Sequence, residues 1–172
     1  MENNSYLVLF YGPNGVGKTT IARALATQYN GLHVQIDVFS AMQRGKFWHT
    51  RKNNKDKMTL VLAVLDAALL KTSYCRFFVD GVLIYRFMFR QIDDWCRNNK
   101  IKFIPVYLTG KLKDLDYRVQ QRKKIQQDWN KKLPTIYKNF NYRPAIRINS
   151  SSQSAEQIVK MIISLIKRKG GD

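Results

Sequence analysis

Acidic side chains are scarce in this chain: 12 Asp and Glu stand against 30 Lys and Arg over 172 residues, a formal charge of +18. Such a field draws polyanions (nucleotides, nucleic acid or an anionic surface), although charge alone says nothing about fold. Cysteine is also thin. Cys75 and Cys96 are the two present; they lack metal-ligand spacing and lie in apolar or amphipathic segments. They read as buried thiols in a reducing compartment, which excludes a disulfide framework. Histidine is limited to two residues, and His49, inside a basic aromatic stretch, reads as structural or solvent-facing rather than catalytic. Long hydrophobic runs are missing too: Leu60–Leu70 is interrupted by Asp66 and is shorter than the roughly 20 apolar residues a membrane-spanning helix needs. Met1–Ser5 is polar and not a secretory signal, so a soluble, cytoplasmic protein without a membrane partner is expected. An apolar fraction of 45% argues against disorder, and the length suits one domain over residues 1–172.

What the chain does have is a regular alternation of apolar strands and amphipathic helices. Tyr6–Tyr11 is a continuous apolar run, as in a strand buried on both faces. Lys18–Tyr29 has helical spacing and stops at Asn30-Gly31. Leu32–Ile36 reads as a second strand ending at Asp37, followed by a short helix over Val38–Gln43 and a basic, polar stretch from Arg44 to Lys57. Met58–Lys71 is expected to be a largely buried helix, Arg76–Asp80 a third strand and Tyr85–Asn98 an amphipathic helix. Lys102–Leu108 is a fourth strand, with Pro105 tolerated at a bulge or at an edge of the pairing. A basic helix over Lys113–Lys132, an irregular aromatic segment over Leu133–Pro144, a fifth strand at Ala145–Ile148, a small-polar linker at Ser150–Ser154 and a final helix at Ala155–Lys167 complete the chain. Strands alternating with helices imply a parallel sheet flanked by helices.

One motif carries chemistry by itself. Gly12-Pro13-Asn14-Gly15-Val16-Gly17-Lys18-Thr19 matches G-x-x-x-x-G-K-[ST] in full, between a strand and a helix. By chance such a match arises in fewer than ~2% of chains of this length. Glycines let backbone N–H groups curl around phosphates, Lys18 reaches the β- and γ-phosphates, and the Thr19 hydroxyl ligates Mg²⁺, with Thr20 following in the helix. A helix starting near Lys18 points the positive end of its dipole at the anion. The cofactors expected are therefore ATP and Mg²⁺.

Other residues narrow the class. Asp80 ends the apolar strand Phe77-Phe78-Val79-Asp80, as a second Mg²⁺-holding carboxylate does. Gly81 follows it, where motor-type ATPases carry a carboxylate that orients water. Asn99-Lys100-Ile101-Lys102 lacks the Asp of the guanine-reading Asn-Lys-x-Asp. With water activation and guanine recognition both unsupported, phosphotransfer is favoured. Asp37, at the end of a strand in a doubly wound sheet, is placed to accept the proton of an acceptor hydroxyl; its alternative is to cap the following helix. Arg118 and Arg122 share one face of the basic helix at i and i+4 and can bridge the transferring phosphoryl group, or else form a solvated face. Lys111, Lys113, Lys123 and Lys124 around them would make a positive flap.

Taken together, the chain resembles the small P-loop kinases. It is most similar to the group containing chloramphenicol phosphotransferase, zeta-toxin-like kinases and the kinase domain of polynucleotide 5'-hydroxyl kinases. The segments that carry the resemblance are GPNGVGKTT, HVQIDVFSAM, FFVDG, Arg90 in the next helix, VYL, LDYRVQQRKK and the closing IRINSSSQSAEQIVKMIISLI. The resemblance implies a nucleoside-monophosphate-kinase-like three-layer α/β/α fold, with a five-stranded parallel sheet and the phosphate-loop strand central. It also implies a basic helical lid over about residues 110–135, Asp37 as general base, and an acceptor site involving Arg44 and Arg90. Polynucleotide kinases place an Arg three residues beyond the base; Ser40 stands there in this chain, leaving Arg44 as the candidate for that role.

The acceptor region is rich in rings and cations: Arg44, Lys46, Phe47, Trp48, His49, Arg51 and Lys52, and again Trp129, Tyr137, Phe140 and Tyr142 with Lys131, Lys132, Lys138 and Arg143. Rings that stack on bases beside cations that meet phosphates hold single strands, while the same aromatics can instead fill the core. A hydroxyl on a nucleotide or nucleic acid end is the expected acceptor. A nucleoside monophosphate or small metabolite, or a nucleotide-gated binding protein without acceptor chemistry, stays open, as does the oligomeric state.

Overall fold

Five strands form one parallel sheet: β1 (Tyr6–Tyr11), β2 (Leu32–Gln35), β3 (Arg76–Gly81), β4 (Lys102–Thr109) and β5 (Ile146–Asn149), in the order β2-β3-β1-β4-β5. Among the described residues the helices that flank it are α1 (Lys18–Gln28), α2 (Ile36–Met42), α3 (Arg51–Lys71), α4 (Arg86–Asn98), α5 (Leu112–Gln121) and α6 (Ala155–Arg168). The computed structural model describes residues 5–42, 50–71, 76–121, 132, 134–136, 144 and 146–168.

The period-2 alternation of strand side chains divides the core into two layers. Leu7, Leu9 and Tyr11 of β1 join Phe77, Val79 and the buried faces of α3 and α4. Tyr6, Val8 and Phe10 join Phe78, Ile104, Val106 and Leu108, with α1 and α6, on the other face. Because both faces are covered, all six residues of β1 are buried, which is why that strand reads as an unbroken apolar run. Each fully buried aliphatic side chain there contributes about 1.5–3 kcal/mol.

The expected architecture stands, with the phosphate-loop strand central. Pro105 pairs in register with Leu9, and the pairing of β4 with β5 begins only at Val106. Its missing N–H thus falls where the outer partner has not yet started. Asp66, which breaks the apolar run of α3, is exposed and accepts the indole N–H of Trp95 at 2.7 Å, tying α3 to α4. Cys96 is buried and free; burial, with help from Asp93, pushes its thiol up to about 12, so it is inert at neutral pH. Cys75 lies outside the described residues.

Most boundaries shift by a residue or two, and the larger departures from the sequence reading have physical causes. Helix α3 starts at Arg51, not Met58: Thr50 accepts the Asn53 N–H on its hydroxyl at 3.2 Å and so caps it. The buried stripe then runs through Asn54 and Lys57 before reaching Met58, Val61 and Leu65. Asp37 is not the end of β2, which stops at Gln35, but lies in the first turn of α2. Ser150–Ser154 is a bonded turn rather than a linker. Ser151 Oγ accepts Lys111 N at 2.8 Å, and Ser154 and Gln157 cap α6 reciprocally at 3.2 and 2.8 Å.

Candidate active site

The loop between β1 and α1 takes its shape from three glycines at positive φ: Gly12 at 144°, Gly15 at 84° and Gly17 at 88°. A Cβ on Gly12 would lie 2.1 Å from the carbonyl oxygen of Leu108, so this position admits only hydrogen. Helix α1 begins after Gly17 with no side-chain cap and no acidic residue in its first turn. Its leading N–H groups are therefore left for an anion. Lys18 is buried and donates to the carbonyls of Gly12 at 3.0 Å and Pro13 at 2.9 Å, which holds its ammonium across the loop. Val16 packs into the core beneath, whereas Asn14 and Thr20 are exposed.

Asp80, only 1% exposed, is gripped from two sides. Its Oδ2 accepts the Thr19 hydroxyl at 2.7 Å and its Oδ1 meets His33 Nε2 at 2.6 Å. Thr19 and Asp80 thus converge beside the loop, the donor set that suits a Mg²⁺ held by one hydroxyl, one carboxylate and phosphate oxygens. Among the described residues no group of three or more His, Cys, Asp and Glu could hold a metal by itself. His33 escaped the sequence reading. It stands on β2 two residues before the strand's end, with no spacing motif to mark it; only the pairing of Gln35 with Asp80 brings the two strands into this register.

Asp37 is half-buried, and its Oδ1 takes a long contact of 3.5 Å from Val82 N. Burial pushes its carboxyl above the usual range and Asp80 adds to that, while Lys18, Lys57 and the Val82 N–H oppose it. The Val82 contact sets Asp37 against the segment just past β3, two residues beyond the Thr19-bound Asp80. Lys57 also escaped the sequence reading, because it ends the stretch taken as merely basic and polar.

Arg118 reaches back from α5 to the loop. Its Nη1 donates to Gly15 O at 3.4 Å and Ser150 Oγ at 3.3 Å, and its Nη2 to Ser150 O at 3.1 Å. Helix α5 sits directly on the loop here, since a Cβ on Gly15 would meet Leu115 O at 2.9 Å. Arg90 is exposed on α4, and among the described residues no hydrogen bond or ion pair joins it to the cluster. Arg51 and Lys52 are exposed at the start of α3, Arg51 lying 6.0 Å from the Phe87 ring centre. Arg44, His49 and Arg122 lie outside the described residues, as do the flap lysines 123 and 124 and the rings at 47, 48, 129, 137, 140 and 142.

Sheet order, phosphate loop and flanking helices make a three-layer α/β/α fold of the P-loop type. The family described as "ATPase family associated with various cellular activities (AAA)" matches residues 8–81. Solved structures share the whole fold. An APS kinase from Mycobacterium tuberculosis in complex with AMPPNP and APS has a TM-score of 0.67 at 14% identity, covering 95% of this chain and 98% of the other. A gluconokinase from Sinorhizobium meliloti 1021 has a TM-score of 0.65 at 14% identity, covering 98% and 95%. A sugar kinase from Janibacter sp. HTCC2649 has a TM-score of 0.68 at 18% identity, covering 95% of each chain. No curated protein matches the chain by sequence. At these identities the likeness is one of fold. Among the described residues no helix is long and apolar enough to cross a membrane.

Proposed function

We propose that this chain is an ATP- and Mg²⁺-dependent phosphotransferase that moves the γ-phosphate onto a hydroxyl of a nucleotide or nucleic acid end, with Asp37 as general base. The observation that supports this most is the company Asp37 keeps: its carboxylate interacts with Lys18 of the phosphate loop and with Asp80, the carboxylate bonded to Thr19. A base must stand beside the phosphates, and a position next to Val82, just past the strand that carries Asp80, fits that role. The names of the solved neighbours, APS kinase, gluconokinase and sugar kinase, favour hydroxyl phosphorylation over the binding-protein reading. The likeness to chloramphenicol phosphotransferase and zeta-toxin-like kinases remains part of the proposal.

In this reading the loop N–H groups and Lys18 hold the β- and γ-phosphates. Thr19 and Asp80 would hold Mg²⁺, which when bound neutralises charge on the phosphate oxygens. His33 fixes the Asp80 carboxylate. Asp37 accepts the proton of the acceptor hydroxyl as that oxygen bonds to phosphorus and ADP departs. Arg118, tied to Gly15 and Ser150, steadies the loop; Arg122, four residues on in the sequence, is proposed for the transferring phosphoryl group. Arg44 and Arg90 are proposed for acceptor binding.

Incubation with γ-labelled ATP and a panel of nucleosides, nucleotides, sugar acids and 5'-hydroxyl oligonucleotides tests the reading. Asp37→Asn should lower turnover ~100-fold or more while ATP still binds. Near-normal turnover in that variant would remove Asp37 from the mechanism, and no labelled product across the panel would reject the acceptor class.

A further inference from the structure

A buried cation shares the site of the proposed base. Lys57 is 5% exposed, and among the described residues no hydrogen bond or ion pair engages its ammonium. It occupies the inward stripe of α3, beside Met58 and one turn before Val61, where an apolar side chain would satisfy packing. Its helix packs against α2, which carries Asp37; burial lowers the pKa of its ammonium and the charge of Asp37 opposes that, yet the two do not approach to ion-pair distance. Both therefore keep hydrogen-bonding capacity: the ammonium has three donors and the carboxylate a single long contact at 3.5 Å. Burying an ammonium without acceptors is among the costliest arrangements in a protein interior. A site that retains one has a use for it.

The proton transfer sharpens this. When Asp37 takes the acceptor's proton it becomes neutral, and Lys57 loses its counter-charge at the moment phosphorus is attacked. An acceptor that carries its own negative group keeps the lysine paired throughout; a neutral alcohol does not. The net charge of +18 favours the arrival of such a compound.

We propose that Lys57 is a specificity-determining residue of the acceptor site, and that the hydroxyl compound this chain phosphorylates bears an anionic group (phosphate, sulfate or carboxylate) near the reacting hydroxyl. The inference rests on Asp37 marking the acceptor side, and it narrows the acceptor to anions.

Two measurements test it. In the first, inorganic phosphate is titrated into the full chain saturated with Mg²⁺ and a non-hydrolysable ATP analogue, so that the phosphate loop is already filled. Wild type should bind phosphate. Lys57→Met should weaken that binding roughly 10- to 100-fold, the effect of one lost charge-assisted hydrogen bond. Lys57→Arg should keep most of it, and Lys55→Met, an exposed neighbour on α3, should change nothing. In the second, kcat/KM is compared for paired acceptors: a nucleoside and its monophosphate, a sugar and its sugar acid, an alcohol and its sulfated derivative. Wild type should prefer the charged member, the preferred pair identifies the anion, and Lys57→Met should bring the ratio close to one.

Absence of phosphate binding by the analogue-loaded wild type overturns the proposal, as does equal binding by Lys57→Met. Equal loss in Lys57→Met and Lys57→Arg would make the residue a packing element and overturn it too. Lys57-dependent phosphate binding without transfer to any acceptor would uphold the anion site and sink the phosphotransfer reading instead.

Discussion

Gly15 and Gly17 form a matched pair on which the packing of the phosphate loop can be measured. Their φ values are nearly equal, 84° and 88°, so replacing either by Ala forces the same left-handed backbone at a cost of about 1–2 kcal/mol. Their surroundings differ. At Gly17 a Cβ meets only Ile21 Cδ1 at 3.8 Å, an ordinary contact. At Gly15 it meets the Leu115 carbonyl oxygen at 2.9 Å and Val119 Cγ2 at 3.3 Å. Leu115 O belongs to the backbone of α5 and cannot rotate away, so the helix must move or the loop must open. Overpacking of that kind adds about 1–3 kcal/mol. For a chain of this size each kcal/mol lowers Tm by about 2–4 °C. Gly17→Ala should therefore lose about 2–8 °C and Gly15→Ala about 4–20 °C.

Calorimetric unfolding of the two variants side by side gives the difference, and a fluorescent ATP-analogue titration gives its functional echo. Displacing α5 also stretches the Arg118 bond to Gly15 O, which is already 3.4 Å. Gly15→Ala should accordingly weaken nucleotide binding by more than its loss of stability alone would suggest. Equal Tm losses in the two variants, or a larger loss in Gly17→Ala, would refute the claim that α5 rests on the loop at this point.

Two further outcomes follow from single contacts. Asp37 carries a folded-state pKa raised above its ordinary 3.8, so its ionisation disfavours the fold. The wild-type chain keeps its full stability relative to an uncharged residue below about pH 3.8 and loses it as pH rises through the raised value. Without nucleotide, Asp37→Asn should have a higher Tm than wild type at neutral pH and an equal one near pH 3.5, a convergence that paired melting curves would check. Trp95→Phe removes the 2.7 Å bond to Asp66 and should cost about 1 kcal/mol, near the lower end for such bonds because Asp66 is exposed. Asp66→Ala should cost about as much, and additive losses in the double variant would show that the pair is not coupled.

The elements that sequence reading recovered and those it missed differ for a physical reason. Strands β1, β3 and β4 are buried on both faces, so their apolar runs could be read directly. The phosphate loop could be read because its spelling is dictated by the anion it cradles. Asp80 stood out because it ends one of those runs, and it accepts the Thr19 hydroxyl at 2.7 Å. The front of α3 was missed because its inward face carries Asn54 and Lys57, and a reading that seeks hydrophobic periodicity stops where polar residues take over the buried stripe. His33 was missed because its partner is set by strand register, which depends on contacts distant in sequence. Both misses fall against the proposed catalytic residues: His33 touches Asp80, and Lys57 lies on the helix that packs against the one carrying Asp37. Local rules of burial are broken where a fold gives up packing for chemistry. Here the interruption at Asn54 and Lys57 therefore serves as a positive signal. Asn54 and Lys57, one turn apart on the core face of α3, mark where that helix gives up apolar packing.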